Sequence, residues 1–290
     1  MFYRQKILTA LIELNGHSLS STDLQKLLFL FCQETDQNHY DFFPYKFGPF
    51  SFTSCDDKQK LMSQGVLQKD DAFVLTTPSS YLAKLKKSDA AALQQFMTRY
   101  KLRGSALMRQ VYLAYPQYAV RSQIVNSLFN EEEKSNLSSV WNKGTTATLF
   151  TIGYEGSSID HYLRRLIFNN VQTLVDVRRN PLSRKHGFSQ RQLQHYTNKV
   201  GIRYIHLPEL GIASHLRKNL NGPADYISLF EQYMQDVLPY QIEALAQIRN
   251  LLQSDKRIAL TCFEEDPCMC HRHKIAHQLE ASIDCPIVHI

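Results

Sequence analysis

Apolar residues recur at helical spacing through roughly the first 130 positions, and from 149 onward they come in short solid runs parted by helical stretches. Near the start, Ile7, Leu8, Leu11 and Ile12 share one helical face, and Gly16 ends that helix. Ser20 or Ser21 can cap the next, whose stripe is Leu24, Leu27, Leu28 and Phe31. The segment D-F-F-P-Y-K-F-G-P-F-S breaks any helix at Pro44, Gly48 and Pro49, and a polar helix is expected at 55–63. Two short apolar runs around Asp70 and Asp71 then predict a β-hairpin. Three helices with a terminal hairpin predict an α-rich, winged-helix-like domain over 1–129, or a plain α+β domain that binds no DNA. The third helix carries Lys58 and Lys60 beside Asp56 and Asp57, a poor face for phosphates.

The segment 130–148, with an acidic triplet followed by Ser, Asn, Gly and Thr, reads as a linker. Beyond it, L-F-T-I-G, V-Q-T-L-V-D-V, I-R-Y-I-H-L and R-I-A-L-T-C-F read as strands alternating with helices, and C-P-I-V-H-I as a last strand. Such alternation predicts a Rossmann-like α/β domain over 149–290, its parallel sheet covered on both faces. Unusual polar loops follow the strands: Tyr154 and Glu155; Arg178 to Arg184; Leu207 to Gly211; and Phe263 to Arg272. In a parallel sheet these loops meet at one edge, where open α/β proteins bind ligands. No G-x-G-x-x-G follows the first strand, so a dinucleotide cofactor is not indicated, and no other cofactor is expected.

Composition narrows the class. Of 290 residues, 43% are hydrophobic and 21% charged, which excludes global disorder. No run approaches the roughly 18 apolar residues of a membrane helix, so no membrane partner is expected. The opening M-F-Y-R-Q-K-I-L-T-A-L-I-E-L-N-G holds Glu13 inside its apolar stretch and reads as an amphipathic helix, which makes the cytoplasm the expected address. There the six cysteines are expected to be reduced. A net charge of +6 tolerates a polyanion partner without demanding one.

Two resemblances add to this. The stretch S-S-T-D-L-Q-K-L-L-F-L-F-C-Q with Y-K-F-G-P-F-S resembles the Panacea-type antitoxin-associated domain over about residues 5–75, which implies partner binding more than catalysis. T-I-G-Y-E-G, V-D-V-R-R-N-P-x-S-R, L-P-E-L-G and T-C-F-E-x-x-P-x-x-C-H-R together resemble the domain-of-unknown-function family numbered 488 over 149–281. That resemblance implies an α/β fold and a site at this shared edge, and brings no reaction with it.

The residues suggest the chemistry. His271 and Arg272 open a helix whose N-terminus favours an anion, and Arg178 with Arg272 can grip a phosphate or carboxylate. Tyr154, Pro181, Ser183, Arg184 and Cys262 complete the expected ligand-binding set. Glu264, Asp176 and Glu155 offer carboxylates for proton transfer, and Cys270 is a candidate thiol whose pKa the helix start and Arg272 would lower. Asp176 has an equally good structural reading as the partner of Arg178, and Cys262 reads more simply as a small core residue. Cys262, Cys268, Cys270, His271 and His273 lie within twelve residues, but one pair is Cys-x-Cys, a poor match to zinc spacing, so no metal is expected. This set points to a hydrolase- or glycosidase-like activity on a nucleotide, nucleoside or base, with the N-terminal domain docking nucleic acid or a protein. The alternative is a regulator whose α/β domain senses an anionic ligand without turning it over.

Overall fold

The chain divides into two units, Met1–Asn142 and Lys143–Ile290. The structure is a computed structural model that describes residues 1–35, 37–77, 79–139, 144–213, 216 and 222–290. In the first unit, α1 (Tyr3–Leu14), β1 (Ser18–Ser20) and α2 (Ser21–Thr35) lead into the short hairpin β2 (Phe43–Tyr45) and β3 (Gly48–Phe50). Then come α3 (Phe52–Ser63), β4 (Leu67–Lys69), β5 (Ala72–Leu75), α4 (Lys87–Arg99), α5 (Gly104–Ala114), α6 (Val125–Leu128) and α7 (Glu131–Ser139). The expected hairpin is β4–β5, and β1 pairs with β5 to give a three-stranded antiparallel sheet. The helix expected at 55–63 begins earlier, because Ser51 caps it by accepting from the Ser54 amide.

The L-Q-K-L-L helix and the G-P-F-S turn are bound to each other. Gln25 of α2 accepts from the Ser51 amide and donates to Ser54 Oγ at 2.7 Å, while Lys26 Nζ donates to the Pro49 carbonyl at 3.0 Å. On α3, Asp57 is buried and takes Arg4, Gln5 and Tyr40 as partners, and Lys58 is buried as well. Part of the expected linker is helix: Asn130 and Glu133 exchange side-chain and backbone hydrogen bonds, a capping box that starts α7, and Arg109 of α5 pairs with Glu133. Residues 140–143 of that linker lie outside the described residues.

The second unit runs β6 (Thr148–Gly153), α8 (Ile159–Phe168), β7 (Thr173–Asp176), α9 (Gln190–Lys199), β8 (Arg203–His206), α10 (Pro223–Asp236), α11 (Ile242–Asp255), β9 (Arg257–Cys262), α12 (His271–Glu280) and β10 (Ile287–His289). Its five strands form an all-parallel sheet in the order β10-β6-β9-β7-β8, so this half is an α/β domain. The chain moves one way across the sheet through α8 and α9, then reverses through α10, α11 and α12. Right-handed crossovers therefore put the two sets of helices on opposite faces. Side chains agree: Leu149, Val175, Ile258 and Leu260 pack with Ile248 of α11 and Ile275 and Leu279 of α12. Thr261, one residue on and so pointing the other way, accepts from Tyr162 of α8. The reversal places β9 between β6 and β7, with their carboxyl ends side by side.

Among the described residues no helix is long and apolar enough to cross a membrane.

Candidate functional site at the carboxyl edge of the sheet

Glycine sets how closely the strand-end loops approach. A Cβ on Gly153, the last residue of β6, would stand 1.9 Å from the Glu264 carbonyl oxygen. One on Gly211 would stand 2.0 Å from the Arg179 amide nitrogen. Only glycine lets these backbones touch. The Phe263 carbonyl accepts from the amides of Tyr154 and Glu155, tying the loop after β9 to that after β6. His206 Nε2 meets the Arg178 carbonyl at 2.8 Å, joining the loop after β7 to β8.

These loops enclose a cleft of about 380 Å³ lined by Tyr154, Arg178, Arg179, Asn180, Leu182, Ser183, Arg184, Ile212, Cys262, Phe263 and Glu264. The expected residues Tyr154, Arg178, Ser183, Arg184, Cys262 and Glu264 are thus brought together. Four of the five guanidinium donors of Arg178 are committed within the protein. Nε and one Nη bind Asp176 at 2.8 and 2.5 Å, and the other Nη donates to the Tyr154 hydroxyl and the Phe188 carbonyl. Burial alone would lower the Arg178 pKa, but the Asp176 hydrogen bonds and charge more than offset it, so Arg178 stays charged. Tyr154 stacks on Phe188 with 4.4 Å between ring centroids. Arg178 is therefore the frame of the cleft floor more than a free grip.

The remaining expected residues need correction. Asp176 does not line the cleft: it is fully buried and accepts from Arg178 and, at 2.6 Å, from the Tyr204 hydroxyl. Burial, then the charge and hydrogen bond of Asp176, raises the Tyr204 pKa, so that hydroxyl keeps its proton and donates. Glu155 is exposed outside the cleft and accepts from the Glu265 amide. Pro181 is buried and does not line the cleft, its carbonyl taken by the Gln190 amide.

Arg272 is the largest departure. It is 1% exposed, and its two Nη atoms donate to the Glu264 and Glu265 carbonyls, so it holds the loop after β9 instead of facing an anion. His271 is buried too, its Nε2 3.0 Å from the Val177 carbonyl. Cys270 is buried, and burial, followed by its neighbour Cys262, pushes its thiol pKa well up; the expected lowering does not occur. A helix start draws anions only where it meets solvent or ligand, and this one is covered. Cys268 is exposed and His273 stands against His289, but Cys262 Sγ, Cys270 Sγ and a nitrogen of His271 all lie within 4.8 Å of one another.

Five residues of the lining stand outside the expected ligand-binding set, Arg179, Asn180, Leu182, Ile212 and Phe263, though only Ile212 lies outside the strand-end loops themselves. Phe263 closes the R-I-A-L-T-C-F strand run, yet the residue is 42% exposed and lines the cleft, and an exposed aromatic directly after a buried run is the signal that could have found it. Among the described residues Arg184 makes no ion pair or hydrogen bond, so it is a lining cation open to a ligand.

The family described as "Domain of unknown function DUF488" matches residues 158–279, and the resemblance read from the four motifs holds for the second unit. The match is narrower than 149–281, and it leaves the first unit, and with it the Panacea-like resemblance, outside. No curated protein and no solved structure matches the chain.

Proposed function

We propose that the cleft binds a nucleotide-like anion and that the second unit hydrolyses it, with Glu264 as the acid–base group. The observation that supports this is the lining itself. Arg179 and Arg184 supply positive charge, the exposed face of Phe263 offers a stacking surface, and Glu264 is the one carboxylate among the described residues of the lining. A volume of about 380 Å³ suits a ligand of nucleoside monophosphate size. In the reaction a C–N glycosidic or phosphate ester bond breaks, water supplies the new bond to the electrophile, and Glu264 moves the water's proton towards the leaving group. The test is a panel of nucleotides, nucleosides and oligonucleotides, scanned for released base or altered product. Turnover by the wild-type protein, lost in Glu264→Gln, is the expected result.

One observation favours a second reading. Glycosidases use two carboxylates about the scissile bond, whereas Asp176 and Glu155 are both engaged elsewhere. A cleft that holds a ligand without turnover would make this unit a sensor. Under either reading the first unit serves as a winged-helix-like docking module. Of the lysines on α3, Lys58 is buried and Lys60 remains exposed, which favours a protein partner over DNA.

A further inference from the structure

Cys262 at the end of β9 and Cys270 and His271 at the start of α12 bring two sulfurs and a ring nitrogen within 4.8 Å of one another. All three are buried. The Val177 carbonyl can only accept, so His271 Nε2 carries the hydrogen and Nδ1 keeps its lone pair. That Nδ1 stands 3.6 Å from Cys262 Sγ and 4.0 Å from Cys270 Sγ. Two ligands of a tetrahedral zinc ion, one sulfur at about 2.3 Å and one imidazole nitrogen at about 2.0–2.1 Å, lie about 3.6 Å apart. The backbone carbonyl on the far ring nitrogen is the outer hydrogen bond that metal-bound histidines usually carry.

We infer that Cys262, Cys270 and His271 form a binding site for a single zinc ion, with a fourth position open towards the cleft. Of the three, Cys262 alone lines the cleft, and the Glu264 carboxylate stands 3.4 Å from its sulfur. Binding would release the two thiol protons to solvent and leave the Nε2–H on Val177 in place. A glutamate two residues past a zinc ligand, itself not a ligand, is an arrangement that activates zinc-bound water. It would also answer the want of a second carboxylate. That consequence rests on the role proposed above for Glu264, whereas the binding site does not.

The experiment uses the full-length protein, stripped with a chelator under reducing conditions and titrated with zinc alone and with cobalt(II) alone. The expected result is one zinc per chain by calorimetry, a raised melting temperature, and the visible and thiolate charge-transfer bands of tetrahedral cobalt. Cys268→Ser, an exposed thiol outside the cluster, should bind like wild type. Cys270→Ser and His271→Gln should weaken zinc by more than the ten- to hundredfold that losing an outer hydrogen-bond partner costs. Should either variant fail to fold, Cys262→Ser replaces it, and the cobalt bands of the wild type decide by themselves. Absence of binding by the wild type, a Cys262–Cys270 disulfide that forms in place of binding, or equal affinity in the cluster variants overturns the site. Zinc binding with no turnover of any nucleotide would leave the site standing and remove the hydrolase reading.

Discussion

Arg184 and Arg272 carry the same charge and do opposite things. Arg184 stands open on the rim, so Arg184→Ala should weaken an anionic ligand about tenfold or more in calorimetry, with the melting temperature little changed. Arg272 is enclosed with its donors on two loop carbonyls, so Arg272→Ala should first lower the melting temperature and only then, through a loosened Glu264 loop, impair binding. The reverse pattern would mean that the buried arginine is the anion grip. Asp176→Asn strands the Arg178 guanidinium in a buried place, and a loss of about 3–5 kcal/mol in denaturant unfolding is expected. Six of the eleven lining residues were legible at this scale as residue types, since charged and polar side chains directly after buried strands stand out. What each charge faces was not legible, because the partners of Arg272 are backbone carbonyls that no residue letter announces. The closeness of Cys262, Cys270 and His271 was not legible for a related reason. Cys270 and His271 are neighbours in sequence, and spacing rules suited to a closed finger do not describe a cluster assembled from a strand end and a helix start.

At the scale of elements, the strands and helices of the second unit follow their periodicity closely, and so does the convergence of their ends. Gly153 and Gly211 explain why two of the motifs carry glycine where they do. Gly153→Ala should cost about 1–3 kcal/mol and displace the loop that carries Glu264, read as a lower denaturation midpoint together with weaker ligand binding. A cap decided what periodicity did not show: Asn130 and Glu133 begin a helix inside the stretch read as a linker. In the first unit, α2 contains a buried lysine whose pKa is lowered by burial from its ordinary 10.5 to about 7. Between those values the unfolded chain holds a proton that the folded chain does not, so this group makes stability rise with pH; below about 7 both states are charged, and above 10.5 both are neutral. Lys26→Met removes that dependence. The stability of the full-length wild type relative to Lys26→Met should climb between pH 7 and 9, at up to about 1.4 kcal/mol per unit, in urea titrations. A flat difference would show that Lys26 is not buried as the neutral amine.

For the whole molecule, the second unit holds a complete sheet, helices on both faces and every residue of the proposed site. Residues 143–290 expressed alone should therefore unfold in one cooperative transition and keep the ligand affinity of the full chain. The central claim is that this unit acts on a nucleotide-like anion through Glu264. It is tested most directly by calorimetry and product analysis side by side on wild type and Glu264→Gln, both verified as folded by thermal melt, against the nucleotide and nucleic-acid panel. The account predicts a ligand that both proteins bind with similar affinity and that wild type converts at least about a hundredfold faster. Conversion at equal rates by the two proteins would contradict it, as would a panel in which neither protein binds anything.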